Sequence, residues 1–314
     1  MSRIESRNLQ KNKRYFIGVD LGGTKIEIVA LDEPGNELIK QRVDTPTSYL
    51  ALIERVAELV VWVETQLGKS PYAIGVGMPG SQSPETGLWQ NCNREYCNDR
   101  NVEADLAEIL QREVIVENDA NCFAMSEALD GAARDYRVVF AITVGTGIGG
   151  ALVFDQQLHH GPNRIGGEAG HTPLPWMQTD DYPLLECHCG RLGCAEQYIS
   201  GTGFENDYFR LSGKRRKGKE ILVLRDQQDL HAVAAYTRLI DRFARFLAMI
   251  YSIVDPDVVV LGGGLSNIDG FIEDVSRQTP KYMISKANAV NLVRASFGDS
   301  SGVRGAAKLA NKMI

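Results

Sequence analysis

A duplicated α/β architecture is the fold class this sequence predicts, and three observations predict it. The segment Tyr15-Phe16-Ile17-Gly18-Val19-Asp20 reads as a buried strand that runs through Leu21-Gly22-Gly23-Thr24-Lys25 into a second apolar stretch, Ile26 to Leu31. The same succession of strand, glycine turn and strand recurs at Val138 to Val144, Gly145-Thr146-Gly147-Ile148-Gly149-Gly150 and Ala151 to Phe154. A third glycine turn, Gly262-Gly263-Gly264, follows the apolar run Asp257 to Leu261.

The intervening segments fill out each half. Pro34-Gly35-Asn36 is a turn leading to another extended stretch, Glu37 to Val43, so the opening strands form an antiparallel meander. Leu52, Val56, Leu59, Val60, Val63 and Leu67 recur at helical spacing and stop before Gly68. A strand is expected at Ala73 to Met78, broken by Pro79-Gly80, and a helix at Val102 to Gln111. Val114 to Glu117 then feeds through Asn118-Asp119-Ala120-Asn121 into a helix ending near Ala128. Late in the chain Ile240, Phe243, Leu247, Ile250, Tyr251 and Val254 form one long helix face, and Ser300 to Met313 a closing helix. The expected domains are a tail at 1–14, a small α/β domain at 15–118 rejoined by 300–314, and a large α/β domain at 119–299.

Composition removes several function classes. A chain of 314 residues, 44% hydrophobic and 24% charged, has room for two cores. A net charge of -6 offers no general surface for a phosphate backbone, and the basic run Lys214 to Lys219 reads as a solvated loop, so no nucleic-acid partner is expected. No window reaches the roughly 20 apolar residues of a membrane span, and the opening residues lack the apolar core of a signal peptide, so no membrane role and a cytoplasmic location are expected. Three of the six cysteines, Cys187, Cys189 and Cys194, crowd one short loop, a pattern that favours metal over disulfide in a reducing compartment.

Glycine turns after buried strands let backbone N–H groups approach an anion with no Cβ in the way, and three of them in one chain imply a nucleotide. Gly145, Gly147 and Gly150 match the dinucleotide pattern formally, but a strand rather than a helix follows them, which excludes a dinucleotide-binding dehydrogenase. Three thiolates need a fourth ligand to close a tetrahedral zinc site, and His171, His188, His159 and His160 all lie near enough in sequence. Such a closed site is structural. Asn118-Asp119 at a strand end is by itself either a turn with its helix cap or a proton acceptor.

The order Asp20-x-Gly22-Gly23-Thr24, Gly145-Thr146-Gly147 and Gly262-Gly263-Gly264 resembles the nucleotide site of the actin and hexokinase superfamily. Gly167-Glu168-Ala169-Gly170-His171 and the run Cys187 to Glu196 are similar to the two signature motifs of the ROK family of sugar kinases and related repressors, over Phe16 to Ala307. Three segments, Ile199 to Phe204, His171 to Trp176 and Gly298 to Ala307, look most like its bacterial fructokinase branch. The resemblance implies a two-domain actin-like, hexokinase-like ATPase fold of duplicated ribonuclease-H-like domains with an interdomain cleft. It implies ATP, Mg2+ and structural Zn2+, with Asp119 as catalytic base. Gly80, Asn93, Asn118, Glu168, His171 and Glu196 would bind the sugar. Asp20 would hold magnesium through water, Thr24 and Thr146 would meet phosphates, and Gly263 the adenosine, with Gly22, Gly23, Gly145, Gly147, Gly262 and Gly264 shaping the turns. Lys25 belongs to the same turn, with its direction left open. His171 joins Cys187, Cys189 and Cys194 as the fourth zinc ligand in this resemblance.

Ala169 departs from the bulkier residue that relatives often carry there, and the extended tail departs from relatives that start near the first strand. The expected activity is phosphorylation of a small-molecule hexose, foremost fructose to fructose 6-phosphate. N-acetylglucosamine, glucose or mannose kinases of the same family are the alternatives. A sugar-responsive regulator is the non-enzyme alternative, which the few residues before the first strand disfavour because they are too short for a DNA-binding helix-turn-helix. A homodimer is compatible with the sequence.

Overall fold

The computed structural model of the chain describes residues 14–285 and 290–312. The expected tail, apart from Arg14, and the final Met313 of the expected closing helix lie outside the described residues. The chain divides into two compact units. The first is built from the described residues of Met1–Arg134, Gln156–Gly166 and Ser300–Ile314, the second from Asp135–Asp155 and the described residues of Gly167–Asp299.

In the first unit β1 (Tyr15–Leu21), β2 (Lys25–Asp32) and β3 (Glu37–Asp44) form the antiparallel meander, and β4 (Ala73–Met78) and β5 (Val114–Asn118) add parallel strands in the order β3-β2-β1-β4-β5. Register decides what meets at the sheet's end. Asp20 stands opposite Glu27 on β2 and Gly77 on β4, and Gly77 stands opposite Glu117 on β5, one residue before Asn118. Helix α1 (Tyr49–Leu67) buries Leu52, Ile53, Val56, Leu59, Val60 and Val63, and stops at Gly68, whose φ of 64° is left-handed. Burying such a Leu or Val side chain contributes about 1.5–3 kcal/mol.

Asn101 caps α2 (Val102–Leu110) by accepting from the Ala104 N–H at 3.2 Å. Helix α3 (Asp119–Leu129) is buried on every side from Ala120 to Ala128. Its neighbour is the closing helix Ser301–Lys312, which packs on it and on β1 and β4. A Cβ on Gly305 would lie 1.6 Å from the Cys122 carbonyl oxygen, so only glycine permits this approach. This packing places residues 119–134 in the first unit, whereas the sequence reading set a boundary between 118 and 119.

The second unit repeats the pattern. Strands β6 (Val138–Val144) and β7 (Ile148–Phe154) are antiparallel, and β8 (Val258–Gly262) and β9 (Leu292–Arg294) continue in parallel, in the order β7-β6-β8-β9. β7 starts at Ile148 rather than Ala151 because Ile148, Gly149 and Gly150 already pair with Val144, Thr143 and Ile142. Helices α4 (Gly201–Ser212), α5 (Gly218–Asp226), α6 (Leu230–Val254) and α7 (Phe271–Gln278) complete this unit, its core running through Phe243, Phe246, Leu247 and Phe271. The basic run ends inside α5, so Lys219 is helical. No helix among the described residues is long and apolar enough to cross a membrane.

Candidate functional site

The first unit gathers Asp20, Gly22, Gly23, Thr24, Gly80, Asn118 and Asp119 on strand ends and their turns. Asn118 caps α3, accepting from the N–H groups of Ala120 at 2.9 Å and Asn121 at 3.1 Å, and its Nδ2 donates to the Gly80 carbonyl at 3.0 Å. Cap and turn are thus one hydrogen-bonded corner, on which Asp119 is the first helical residue. Loss of water pushes the Asp119 carboxyl above the usual carboxylate range despite N–H donation from Ala120 and from its own backbone. Asp20 is pushed up to about 7, by loss of water first and then by the charges of Asp119 and Glu27, against Arg42 and Arg94.

The turn after Asp20 is held from outside. Gly22 offers its carbonyl to Thr45 Oγ1 at 3.0 Å, and Thr24 its carbonyl to the Thr45 N–H at 3.1 Å. Arg94, a buried guanidinium that sequence reasoning passed over, donates to the carbonyls of Leu21 and Gly22. Only its neighbour Asn93 drew attention, and Asn93 is exposed. Lys25 pairs across the sheet with Asp44 at 2.5 Å, both exposed. Glu117, which the sequence pattern marks only as the end of a strand, has a half-buried carboxylate that binds three donors. An acid at the mouth of an apolar strand, Val114-Ile115-Val116-Glu117, is the signal that singles it out.

The second unit holds the remaining residues. Gly145 donates to the Gly147 carbonyl at 3.0 Å and accepts from the Gly201 N–H at 2.8 Å, while Thr146 between them is exposed. Glu196 accepts the Ile148 N–H at 2.8 Å and lies 3.3 Å from His188 Nδ1. A Cβ on Gly147 would stand 2.5 Å from Glu196 Oε2. Gly263, at φ 80° and with its missing Cβ directed 2.5 Å from the Val144 carbonyl oxygen, is glycine by conformation and by space, between Gly262 at the end of β8 and Gly264. Glu168 is exposed, and its carbonyl accepts from the His171 N–H at 3.2 Å.

His171, Cys187, Cys189 and Cys194 bring their ligand atoms within 4.8 Å of one another. Cys187 Sγ lies 3.6 Å from His171 Nδ1, and Cys189 Sγ 3.6 Å from Cys194 Sγ. Corners of a tetrahedron with metal–sulfur bonds of about 2.3 Å are roughly 3.8 Å apart, so the donor set and its spacing fit zinc. A hydrogen bond from Arg191 is the main reason the Cys189 thiol is lowered to about 6, which favours the thiolate a metal needs. Of the four histidines that sequence spacing left open as a fourth ligand, His171 is the one within reach of all three sulfurs, while His188 forms a second grouping with His171 and Glu196.

Comparison with known proteins identifies the family. The chain is 40% identical over 299 residues to an N-acetyl-D-glucosamine kinase of Vibrio cholerae, covering 94% of this chain and 99% of that protein. It is 38% identical over 300 residues to an N-acetyl-D-glucosamine kinase of Histophilus somni, covering 94% and 98%. Among solved structures, a ROK hexokinase from Thermus thermophilus superposes with a TM-score of 0.84 at 31% identity, covering 95% of this chain and 98% of that one. A ROK family glucokinase from Streptomyces griseus, in complex with glucose and AMPPNP, gives 0.79 at 26% identity, covering 95% and 99%. The sequence model of the ROK family matches residues 16–313, and with relatives this similar along almost its whole length, the chain belongs to the ROK family.

Proposed function

We propose that this chain transfers the γ-phosphoryl group of ATP to a hydroxyl of N-acetylglucosamine, with Asp119 as proton acceptor. The observation that carries this reading is the Asn118-Asp119 corner. It is a carboxyl of raised pKa at a helix start, locked to Gly80 through Asn118, in a chain 40% identical to an N-acetyl-D-glucosamine kinase. The fructose expectation, which rested on short segments, gives way to whole-length similarity.

In the proposed reaction the sugar hydroxyl attacks the γ-phosphorus, its proton passes to Asp119, and ADP leaves. Phosphoryl transfer asks little covalent chemistry of a protein, so positioning and charge neutralisation dominate. The backbones at Gly22 to Thr24 and Gly145 to Gly147 would cradle phosphates, and Gly263 would let adenosine approach. The charge of Asp119 raises the cost of ionising Asp20, a repulsion that fits a divalent cation held through water by Asp20. Magnesium, when bound, would supply neutralisation of phosphate charge. Glu168, Glu196, Asn118 and the wall at Gly80 and Asn93 would recognise sugar hydroxyls. Zinc on His171 and the three cysteines would fix the loop that ends in Glu196.

Release of ADP measured with N-acetylglucosamine, fructose, glucose and mannose, at saturating ATP and magnesium, tests the proposal. The expected result is a highest kcat/KM for N-acetylglucosamine. A higher value for fructose would restore the first expectation, and turnover of none of the four sugars would overturn the hexose assignment.

A further inference from the structure

Glu117 precedes the Asn118-Asp119 corner and is occupied on both carboxylate oxygens. Its Oε1 accepts from the Asn118 N–H at 2.8 Å and from Asn121 Nδ2 at 2.8 Å, one donor on each side of Asp119. Its Oε2 lies 2.6 Å from Nε2 of His160. His160 belongs to the segment Gln156–Gly166, which returns to the first unit from a distant point in the chain. The carbonyl of His160 accepts the Gly166 N–H at 3.1 Å, so this segment is closed on itself and presents the imidazole from a fixed backbone. Burial opposes ionisation of Glu117, yet hydrogen bonds from His160 and Asn121 hold it below the usual carboxylate range, so it meets its donors as an anion.

We propose that Glu117 and His160 form a clasp that positions the proposed base, with Glu117 a positioning residue that acts through Asn118 and Asn121. The cap ties Asn118 to the helix through Ala120 and Asn121 and to the turn at Gly80. Donors taken from both sides of Asp119 by one half-buried carboxylate add a second restraint, and His160 fixes the carboxylate in turn. Misplacement of a reacting group by about 1 Å costs roughly 100-fold in rate, so a device of this kind acts on kcat more than on substrate affinity.

The proposal rests on Asp119 being the base, and the two ideas are separable in one set of variants assayed with ATP and N-acetylglucosamine. Asp119→Asn tests the base itself; near-normal turnover there would sink that reading. His160→Ala removes the more exposed half of the clasp with little risk to folding, Glu117→Ala removes the less exposed half, and Glu117→Gln keeps an oxygen for Asn118 and Asn121. The expected result is a loss of roughly 10- to 100-fold in kcat for His160→Ala and Glu117→Ala, with KM for both substrates within about 3-fold and melting at His160→Ala unchanged. The double variant should be no slower than the slower single one, because the pair acts as a unit. Glu117→Gln should regain most of the loss. The clasp is overturned if His160→Ala keeps wild-type kcat, if the losses multiply in the double variant, or if they appear in KM alone.

Discussion

Oε2 of Glu196 accepts the Ile148 N–H at 2.8 Å directly beside Gly147, where any Cβ would stand 2.5 Å from that same oxygen. The glycine turn after β6 would therefore serve two ends, since the backbone that the proposed site assigns to phosphate also admits a carboxylate that it assigns to the sugar. Gly147→Ala should push Glu196 off Ile148 and lower kcat/KM for the sugar by roughly 10-fold or more. Steady-state kinetics at saturating ATP measure it, and an unchanged kcat/KM would show that Glu196 does not recognise substrate in this position.

Asp119→Asn keeps size and hydrogen-bonding shape while removing the proton acceptor. A general base contributes about 100-fold or more in rate, so kcat should fall at least that far while far-ultraviolet circular dichroism stays the same. Because the Asp119 pKa lies above the ordinary carboxylate value, the acid limb of the wild-type kcat profile should also lie above it. That limb should vanish in the variant's residual activity.

Asp20 gives a stability prediction with an unusual sign. Its pKa is 3.8 in the unfolded reference and about 7 in the folded chain. Between those values the folded protein keeps a proton that the unfolded chain has released, so this group makes stability fall as pH rises through the window. In chelator-treated protein, Asp20→Asn should therefore raise Tm more at pH 8 than at pH 5. Magnesium should raise wild-type Tm at pH 8 and do little for the variant. Equal shifts at both pH values would contradict the burial and repulsion assigned to Asp20.

The legible parts of this fold are those where local pattern and packing agree. Apolar spacing from Leu52 to Val63, stopped by Gly68, marks α1 because one face alone is buried and the terminator adopts the conformation glycine favours. The boundary at Asp119 was not legible, since α3 is buried all round and nothing in its own residues says that the closing helix, almost two hundred positions away, will pack against it. Arg94 and Glu117 stayed hidden for the same reason. A charge drawn out of water, fully or in part, is defined by partners brought from elsewhere, here the carbonyls of Leu21 and Gly22 and the ring of His160. The cysteine loop was the opposite case, because its ligands are close in sequence and the spacing itself limits the geometry.

One zinc per chain is expected on His171, Cys187, Cys189 and Cys194, and elemental analysis of reduced protein checks it. Cys189→Ser should lower zinc content, since it removes the thiolate that Arg191 helps to ionise. It should also raise KM for the sugar by loosening the loop before Glu196. Unchanged zinc in Cys189→Ser would remove Cys189 from the site.

The loop between His171 and Cys187 is anchored by charges that lie out of water. Asp181 is fully buried and accepts from Arg242 Nε at 2.7 Å, Arg245 Nη1 at 2.9 Å and the Gln178 N–H at 2.8 Å. Both arginines project from α6, and Arg245 Nη1 also donates to the carbonyls of Pro175 and Trp176 at 3.1 and 2.9 Å. Asp181→Asn would leave two buried guanidinium groups short of an anion, a loss worth about 3–5 kcal/mol for a buried pair. The lower end of that range applies, because Arg242 retains Asp207 at 3.1 Å and Arg245 retains Asp241 at 3.1 Å. Burial works against the Asp181 carboxylate, but donation from Arg245, Gln178 and Arg242 holds its pKa below 3.8. A pKa depressed on folding gives stability that is complete above the ordinary carboxylate range and is lost as pH falls through the folded value. Denaturant titrations of wild type and Asp181→Asn at pH 7 and pH 3 should therefore show a large gap that narrows in acid, and a gap that stayed constant with pH would mean that Asp181 anchors the loop by packing rather than by charge.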